Sequence, residues 1–402
     1  MKRALLIGFL IMILAVPITS LAGMKMKISD DTQIDLGFRV QSQFIATNDN
    51  SGGDGESEEY FQVRRARFRL GGSVTEYVKF FMQTDVGNKD SGVGQDMRVI
   101  DAMVNVHYKN VANFIMGEWM APAGRQITTS SGGLMAIDRP NITNYNLTWG
   151  LNGKVGFNTG PNFAQGDLAI GNDVAVRDLG ITFFNSTSFS DTLHGKFYAG
   201  VYDGIDNTKD NLRFTARAQM NFFDPEPGYF NLSTYLGKKK TVGIGASYDY
   251  QKDFAFDDNK GWVDYNWVEV DGFVDYPLGP GALTAELAYQ NLDLDNAQAL
   301  HASPTSGTAQ NAKETSGDGL YGQIGYYLED YKVQPWFGFD YWKTDASTDI
   351  GSFSSYRFGA TYFFKGHNAN IKAGYEYFKA KEKIPGENDK IHTFVTGFYV
   401  TF

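Results

Sequence analysis

Cysteine is absent from the 402 residues, which excludes a disulfide scaffold, Cys-ligated zinc, an iron-sulfur cluster, a Cys nucleophile and covalent c-type haem. Histidine is scarce. His107, His194, His301, His367 and His392 include no pair at metal-site spacing, and no Gly-x-Ser-x-Gly elbow occurs. Neither a metal nor any other cofactor is expected. Basic charge is also short: 36 Lys and Arg stand against 46 Asp and Glu, and a formal charge of -10 argues against a nucleic-acid partner. Long apolar runs are missing except at the start, where Met1-Lys2-Arg3 precedes an apolar stretch from Ala4 to Ile18. Ser20-Leu21-Ala22 then places small residues where a signal peptidase reads. The run is interrupted by Pro17 and falls short of the ~20 residues a spanning helix takes. Residues 1–22 therefore read as a signal peptide and 23–402 as one exported domain.

What is plentiful is glycine (45), aromatic side chains (31 Phe, 23 Tyr, 6 Trp) and strict alternation. Ile34, Leu36, Phe38, Val40 and Phe44 share one face, and Asp35, Arg39, Gln41 and Gln43 the other, a period of two. The pattern returns with Ala66, Phe68 and Leu70 against Arg65, Arg67 and Arg69, and with Ile244, Ala246, Tyr248 and Tyr250 against Gly243, Gly245, Ser247 and Asp249. No second class of element is available to cover the apolar faces, so lipid covers them. The fold class expected is all-β: a transmembrane antiparallel β-barrel.

Alternation and turn signals predict sixteen strands, near 34–45, 61–72, 76–86, 97–109, 112–119, 177–186, 192–203, 212–222, 240–251, 262–276, 281–292, 319–328, 331–343, 356–365, 369–380 and 390–402. Short and long connections take turns along the chain, as short periplasmic turns and long external loops do in outer-membrane barrels. The connection 223–239, around Asp224-Pro225-Glu226-Pro227, is too long for its side and is where the count is weakest. On the outward parity, Tyr248, Tyr250, Tyr341 and Tyr377 fall near external strand ends, and Tyr108, Tyr276, Tyr362 and Phe364 near periplasmic ends, as two aromatic girdles would. Phe394, Phe398, Val400 and Phe402 form one outward stripe, a pattern that barrel-assembly machinery would recognise.

Arg64-Arg65-Ala66-Arg67, Asp101-Ala102, Met116-Gly117-Glu118-Trp119 with Pro122 and Gly124, and Asp138-Arg139-Pro140 follow one another in the first half. Arg177-Asp178-Leu179-Gly180, Gly200-Val201-Tyr202-Asp203-Gly204, Ala216-Arg217, Gln334-Pro335 and Gly359-Ala360-Thr361-Tyr362 to Gly366-His367-Asn368 continue the series. In this order the residues resemble the phosphate-selective porin family of the O and P type. The resemblance implies a sixteen-stranded barrel in the outer membrane of a Gram-negative cell, in contact with lipid and lipopolysaccharide, usually as a homotrimer, with a long third loop folded into the pore. The chain departs from the family in a longer stretch between Pro140 and Arg177, and in Gly338 and Asp340 where an inward Arg is often found.

The inward charges point two ways. Arg65, Arg67 and Arg69 stand ~7 Å apart on one face of the second predicted strand, two residues per step; Arg39 and Lys79 extend the patch, and Arg213 and Arg217 form a second one. Such a ladder hands an anion from one guanidinium to the next, or only pairs with lumen carboxylates and braces the wall. Glu269, Asp271, Asp275 and Glu286 supply those carboxylates from distant strands, and a basic wall facing an acidic one sorts solutes by dipole and charge. The connection 120–176 is the expected constriction, with Arg125, Asp138, Arg139 and Lys154 lining it. The function expected is a passive porin for small hydrophilic solutes and ions, with at most a mild anion (phosphate) preference. Two alternatives from other classes are a barrel sleeve for a partner protein such as a multihaem cytochrome, which needs an unobstructed lumen, and an outer-membrane enzyme.

Overall fold

A computed structural model describes residues 23–48, 57–85, 97–108, 112–143, 177–204, 209–301, 310–311, 316–345, 347, 349, 351–382 and 388–402. Its strands are β1 (Met24–Lys27), β2 (Gln33–Thr47), β3 (Glu58–Ser73), β4 (Val78–Asp85), β5 (Arg98–Tyr108), β6 (Ala112–Met120), β7 (Arg177–Ser188), β8 (Leu193–Tyr202), β9 (Arg213–Phe223), β10 (Thr241–Asp257), β11 (Gly261–Leu278), β12 (Gly281–Asp293), β13 (Ala299–His301), β14 (Gln310–Asn311), β15 (Gly317–Leu328), β16 (Val333–Thr344), β17 (Phe353–Phe363), β18 (Ala369–Ala380) and β19 (Lys390–Thr401). Sixteen of them, β2 to β12 and β15 to β19, pair antiparallel in chain order, and β19 returns to β2 through Phe394 with Ala46 and Val400 with Val40. The barrel is closed, as the alternation requires.

Three short strands were not readable from alternation. β13 and β14 form a hairpin in the connection after β12. β1 takes the free edge of β2 just past the end of β19, pairing Met24 with Leu36 and Lys27 with Gln33. β10 and β11 run further than expected, because a register slip between Gln251 and Ala255 lets the ladder continue to Asp257 with Gly261.

The outer face behaves as expected, with Ile244, Val270, Leu287, Ile324 and Phe358 all exposed around the wall. The inner face is polar on most strands but not on all. Toward the long-loop rim, Trp267, Leu292, Trp342, Phe353, Phe378 and Ile391 point inward and pack with Ile127 and Ile142 of the connection after β6. A second cluster joins Met135, Ala136 and Ile137 of that connection to Ile45, Trp336, Val395 and Tyr399. Burying a large apolar side chain is worth ~1.5–3 kcal/mol, so a loop that covers this many stays against the wall.

The connection 224–240 adds no strand and leaves the count at sixteen. It leaves the short-turn rim and folds into the lumen, where Asn231 exchanges main-chain hydrogen bonds with Thr128 (2.8 Å) and Ser130 (3.0 Å). Its two prolines suit it to irregular backbone rather than to a ladder.

Candidate functional site

The loop after β6 is buried almost throughout from Ala121 to Thr143. Chain that leaves water must find partners for its main-chain groups, and the wall supplies them. The Arg125 amide donates to Glu269 (2.6 Å), the Gln126 side chain to Glu286 (2.8 Å), and Trp267 Nε1 to the Ala123 carbonyl (3.0 Å). Further along, Lys372 Nζ donates to the Leu134 and Ala136 carbonyls (2.5 and 2.8 Å), Thr361 to Met135 (3.0 Å) and Arg357 to Arg139 (2.8 Å). The loop therefore lines the wall from β11 to β18 and, through Ser131 and Asp138, also reaches Arg39 and Gln41 of β2 and Arg65 of β3.

The turn 224–240 meets this loop from below. Arg125 donates to both oxygens of Glu226, at 3.1 and 2.9 Å, and its guanidinium lies 3.7 Å over the Phe273 ring. Gln219 (2.6 Å), Asn221 (2.9 Å) and the Tyr235 hydroxyl (2.5 Å) also donate to Glu226. Burial alone would raise the Glu226 carboxyl, but Arg125 and the other donors hold it well below the usual carboxylate range. The turn is pinned further by Lys196 on Asn231 (2.6 Å), by its Tyr235 amide on Asp275 (2.8 Å) and by His367 donating to the Thr234 carbonyl (2.8 Å).

Beneath the loop and the turn lies a closed network. Arg217 pairs with Asp271 at 2.6 and 3.0 Å across the intervening strand β10, where Gly245 leaves the gap; a Cβ there would lie 2.6 Å from the guanidinium. Arg213 pairs with Asp249 (2.6 Å) and Asp178 (3.2 Å). Asp275 accepts from Thr284 (2.8 Å), and Glu286 from Tyr321 (2.6 Å). Arg213, Arg217, Glu269, Asp271, Asp275 and Glu286 all face inward, as parity requires, and all are buried.

The opposite wall is divided. Arg65 is fully buried, held by Asp138 (3.2 Å) and Gln41 (2.7 Å), and Arg67 pairs with Asp85 (2.8 Å). A register slip between Gln41 and Ser42 also turns Arg64 inward, onto Asp138 at 3.0 Å. Burial would raise the Asp138 carboxyl, yet Arg65, Arg64 and Arg139 hold it below its ordinary range. Arg139 donates to the Gln126 carbonyl (2.7 Å) and to that of Thr129. Arg39, Arg69 and Lys79 differ from these. Arg39 donates to Ser131 (2.6 Å) and Thr401 (3.3 Å), Arg69 to the main-chain oxygen of Phe402 (2.8 Å), and Lys79 is exposed; none has an Asp or Glu partner among the described residues. Lys154 lies outside the described residues.

An open cavity of about 820 Å³ lies against this wall, and Lys25, Arg39, Arg67, Arg69, Lys79, Arg139 and Arg177 border it with only Asp35 and Asp101 as acidic side chains. The sequence set a basic wall against an acidic one, and the bias appears because the loop and the turn cover the acidic wall. Glu226 and Arg64 were missed as well. The length of 224–240 was the signal for the first, and two consecutive arginines in one strand the signal for the second.

The model of the phosphate-selective porin O and P family matches residues 34–402. The chain belongs to that family. It is an outer-membrane β-barrel channel of the Gram-negative type. Solved porins share the fold at low identity. The OmpF of Salmonella typhi, in complex with daunomycin, is 16% identical with a TM-score of 0.56, covering 94% of this chain and all of that one. An anion-selective porin from Comamonas acidovorans is 12% identical at 0.55, covering 92% and 100%. OmpT of Vibrio cholerae, in a trimer form, is 15% identical at 0.53, covering 93% and 100%. No curated protein sequence matches the chain significantly.

Proposed function

We propose that this porin passes small hydrophilic solutes by passive diffusion with a preference for anions, phosphate among them, and that the path follows the wall from β2 to β6. The observation that carries this is the cavity bordered by seven basic and two acidic side chains, of which Arg67 is paired with Asp85 and Arg177 with Asp101. A low-dielectric channel lined mainly by one sign of charge concentrates the opposite ion. Arg39, Arg69 and Lys79 act on permeant ions, while Arg65, Arg67, Arg213 and Arg217 brace the wall through their carboxylates. Glu269, Asp271, Asp275 and Glu286 are the other half of that brace. Arg125, Asp138 and Arg139 hold the constriction in place.

The loop and turn that occupy the lumen argue against a sleeve for another protein, which would need the space they fill. Family membership favours a channel over an enzyme. Residues 1–22 act as a signal peptide, and the protein assembles as a homotrimer in contact with lipid and lipopolysaccharide after insertion by the barrel-assembly machinery. The trimer reading is supported by the trimeric form of the Vibrio cholerae OmpT. The decisive measurement is a planar-bilayer reversal potential in a KCl gradient. Chloride preference is expected, and cation preference would overturn the reading.

A further inference from the structure

The open cavity is not uniformly basic. Register places Gly71 opposite Phe81 and Phe81 opposite Met103, one two-residue step from Arg69 toward one rim and from Lys79 toward the other. Each step is ~7 Å along the wall. With no side chain at Gly71, the Phe81 ring is uncovered; a Cβ there would already sit 3.4 Å from Phe81 Cδ2. The Trp119 ring lies 5.5 Å from that of Phe81, edge to face, and Phe230 from the inserted turn lies 5.2 Å beyond Trp119. Inward positions on a porin wall are ordinarily polar. Here an apolar patch interrupts them between two cations. Packing the tip of the turn accounts for Trp119 and Phe230 but not for Phe81 and Met103, which stay half-exposed to the cavity.

We propose that this track selects organic anions with a planar apolar body, an aromatic monocarboxylate being the simplest. The proposal rests on the anion-channel reading and narrows its solute class. A carboxylate meets Arg69 or Lys79 while the ring lies against Phe81, Met103 and Trp119, removing apolar surface from water. A hydrated inorganic anion gains nothing from that patch, and neither does acetate, which carries the same charge. The cavity, at about 820 Å³, is within the range of sites that hold small organic ligands.

Benzoate against acetate, as potassium salts on the two sides of a planar bilayer holding the purified barrel, tests this. The benzoate-to-acetate permeability ratio is expected to exceed the ratio of their mobilities in free solution. Block of chloride current by benzoate and not by acetate would equally support a benzoate site. Phe81→Ser should lower the benzoate advantage about fivefold, the scale of one aromatic contact. Met103→Gln should lower it less, and heat-modifiable migration on a gel identifies folded barrels of both. A wild-type ratio no greater than the mobility ratio, without block, overturns the proposal, as does an advantage unchanged in whichever variants insert. A reversal potential in KCl separates the failures. Chloride preference with no benzoate advantage sinks this inference alone, whereas cation preference sinks the anion-channel reading with it.

Discussion

Arg125 and Glu226 meet inside the barrel through two hydrogen bonds of 3.1 and 2.9 Å, although one residue arrives on a connection from the long-loop rim and the other on a turn from the opposite rim. Each segment thus braces the other. Replacing Glu226 by Gln leaves Arg125 buried without its counter-charge, and breaking a buried pair in this way costs about 3–5 kcal/mol. The expected outcome is a lower unfolding temperature and larger current fluctuations in single channels. Quiet currents and an unchanged melting curve would show that the pair does not hold the loop.

The same pair fixes a dependence on pH. The folded Glu226 carboxyl lies below its unfolded value of ~4.3. Its contribution is therefore complete above that value and is lost only as pH falls through the depressed folded one. Between pH 7 and pH 5 the latch should hold, with constant fluctuation amplitude in the wild type. A rise in fluctuation already at pH 6 would mean that another group controls the loop.

Arginines on the basic wall should separate into two classes by experiment. A charge ~8 Å from the path is worth roughly 0.5 kcal/mol in water, about a factor of two in ion preference. Changing Arg69 and Lys79 together to Gln should lower the anion-to-cation permeability ratio about two- to fourfold in ~0.1 M salt, fading as salt rises. Arg65→Gln should instead lower the unfolding temperature, since Asp138 loses a partner, with little change in reversal potential. The opposite pattern would return the conducting role to Arg65.

From the alternation of short turns and long loops we expect Phe402 on the periplasmic side and residues 293–318 outside. Protease added to intact cells should cut within 293–318. Cutting seen only in spheroplasts would invert the barrel.

Phe402 closes an outward stripe, and its main chain is held by Phe38 (2.8 and 2.9 Å) and Arg69. Deleting it should reduce the inserted, heat-modifiable barrel far more than synthesis, whereas Phe402→Tyr should be tolerated. Equal insertion of the deletion would remove the stripe from the assembly signal.

The wall was legible because its information is local. A lipid-facing residue at every second position writes each strand into the sequence, so Ile34 to Phe44 or Val242 to Tyr250 needs no distant partner to be recognised. The interior was legible only as to which side chains point inward. Arg217 finds Asp271 across a whole strand, and Glu226 finds Arg125 at a separation of 101 residues, neither of which a period of two encodes. Inward Trp267, Trp342 and Phe353 look misplaced until the loop that covers them is in position. The long connection at 224–240 announced itself by length alone, and its length fitted a hidden insertion as well as an error in the strand count.

Along one edge of β2, Thr401 pairs with Arg39 and Met24 with Leu36, so Phe402 and Gly23 abut end to end in a single line of strand, and a Cβ on Gly23 would lie 3.3 Å from the Phe402 carbonyl carbon. With residues 1–22 removed, the barrel from Gly23 to Phe402 would be, seen as a polymer, a ring with one link open. Joining those two residues directly, and cutting instead within 46–60, should give a circularly permuted chain that closes into the same wall, because the new bond would replace a junction the strand already makes.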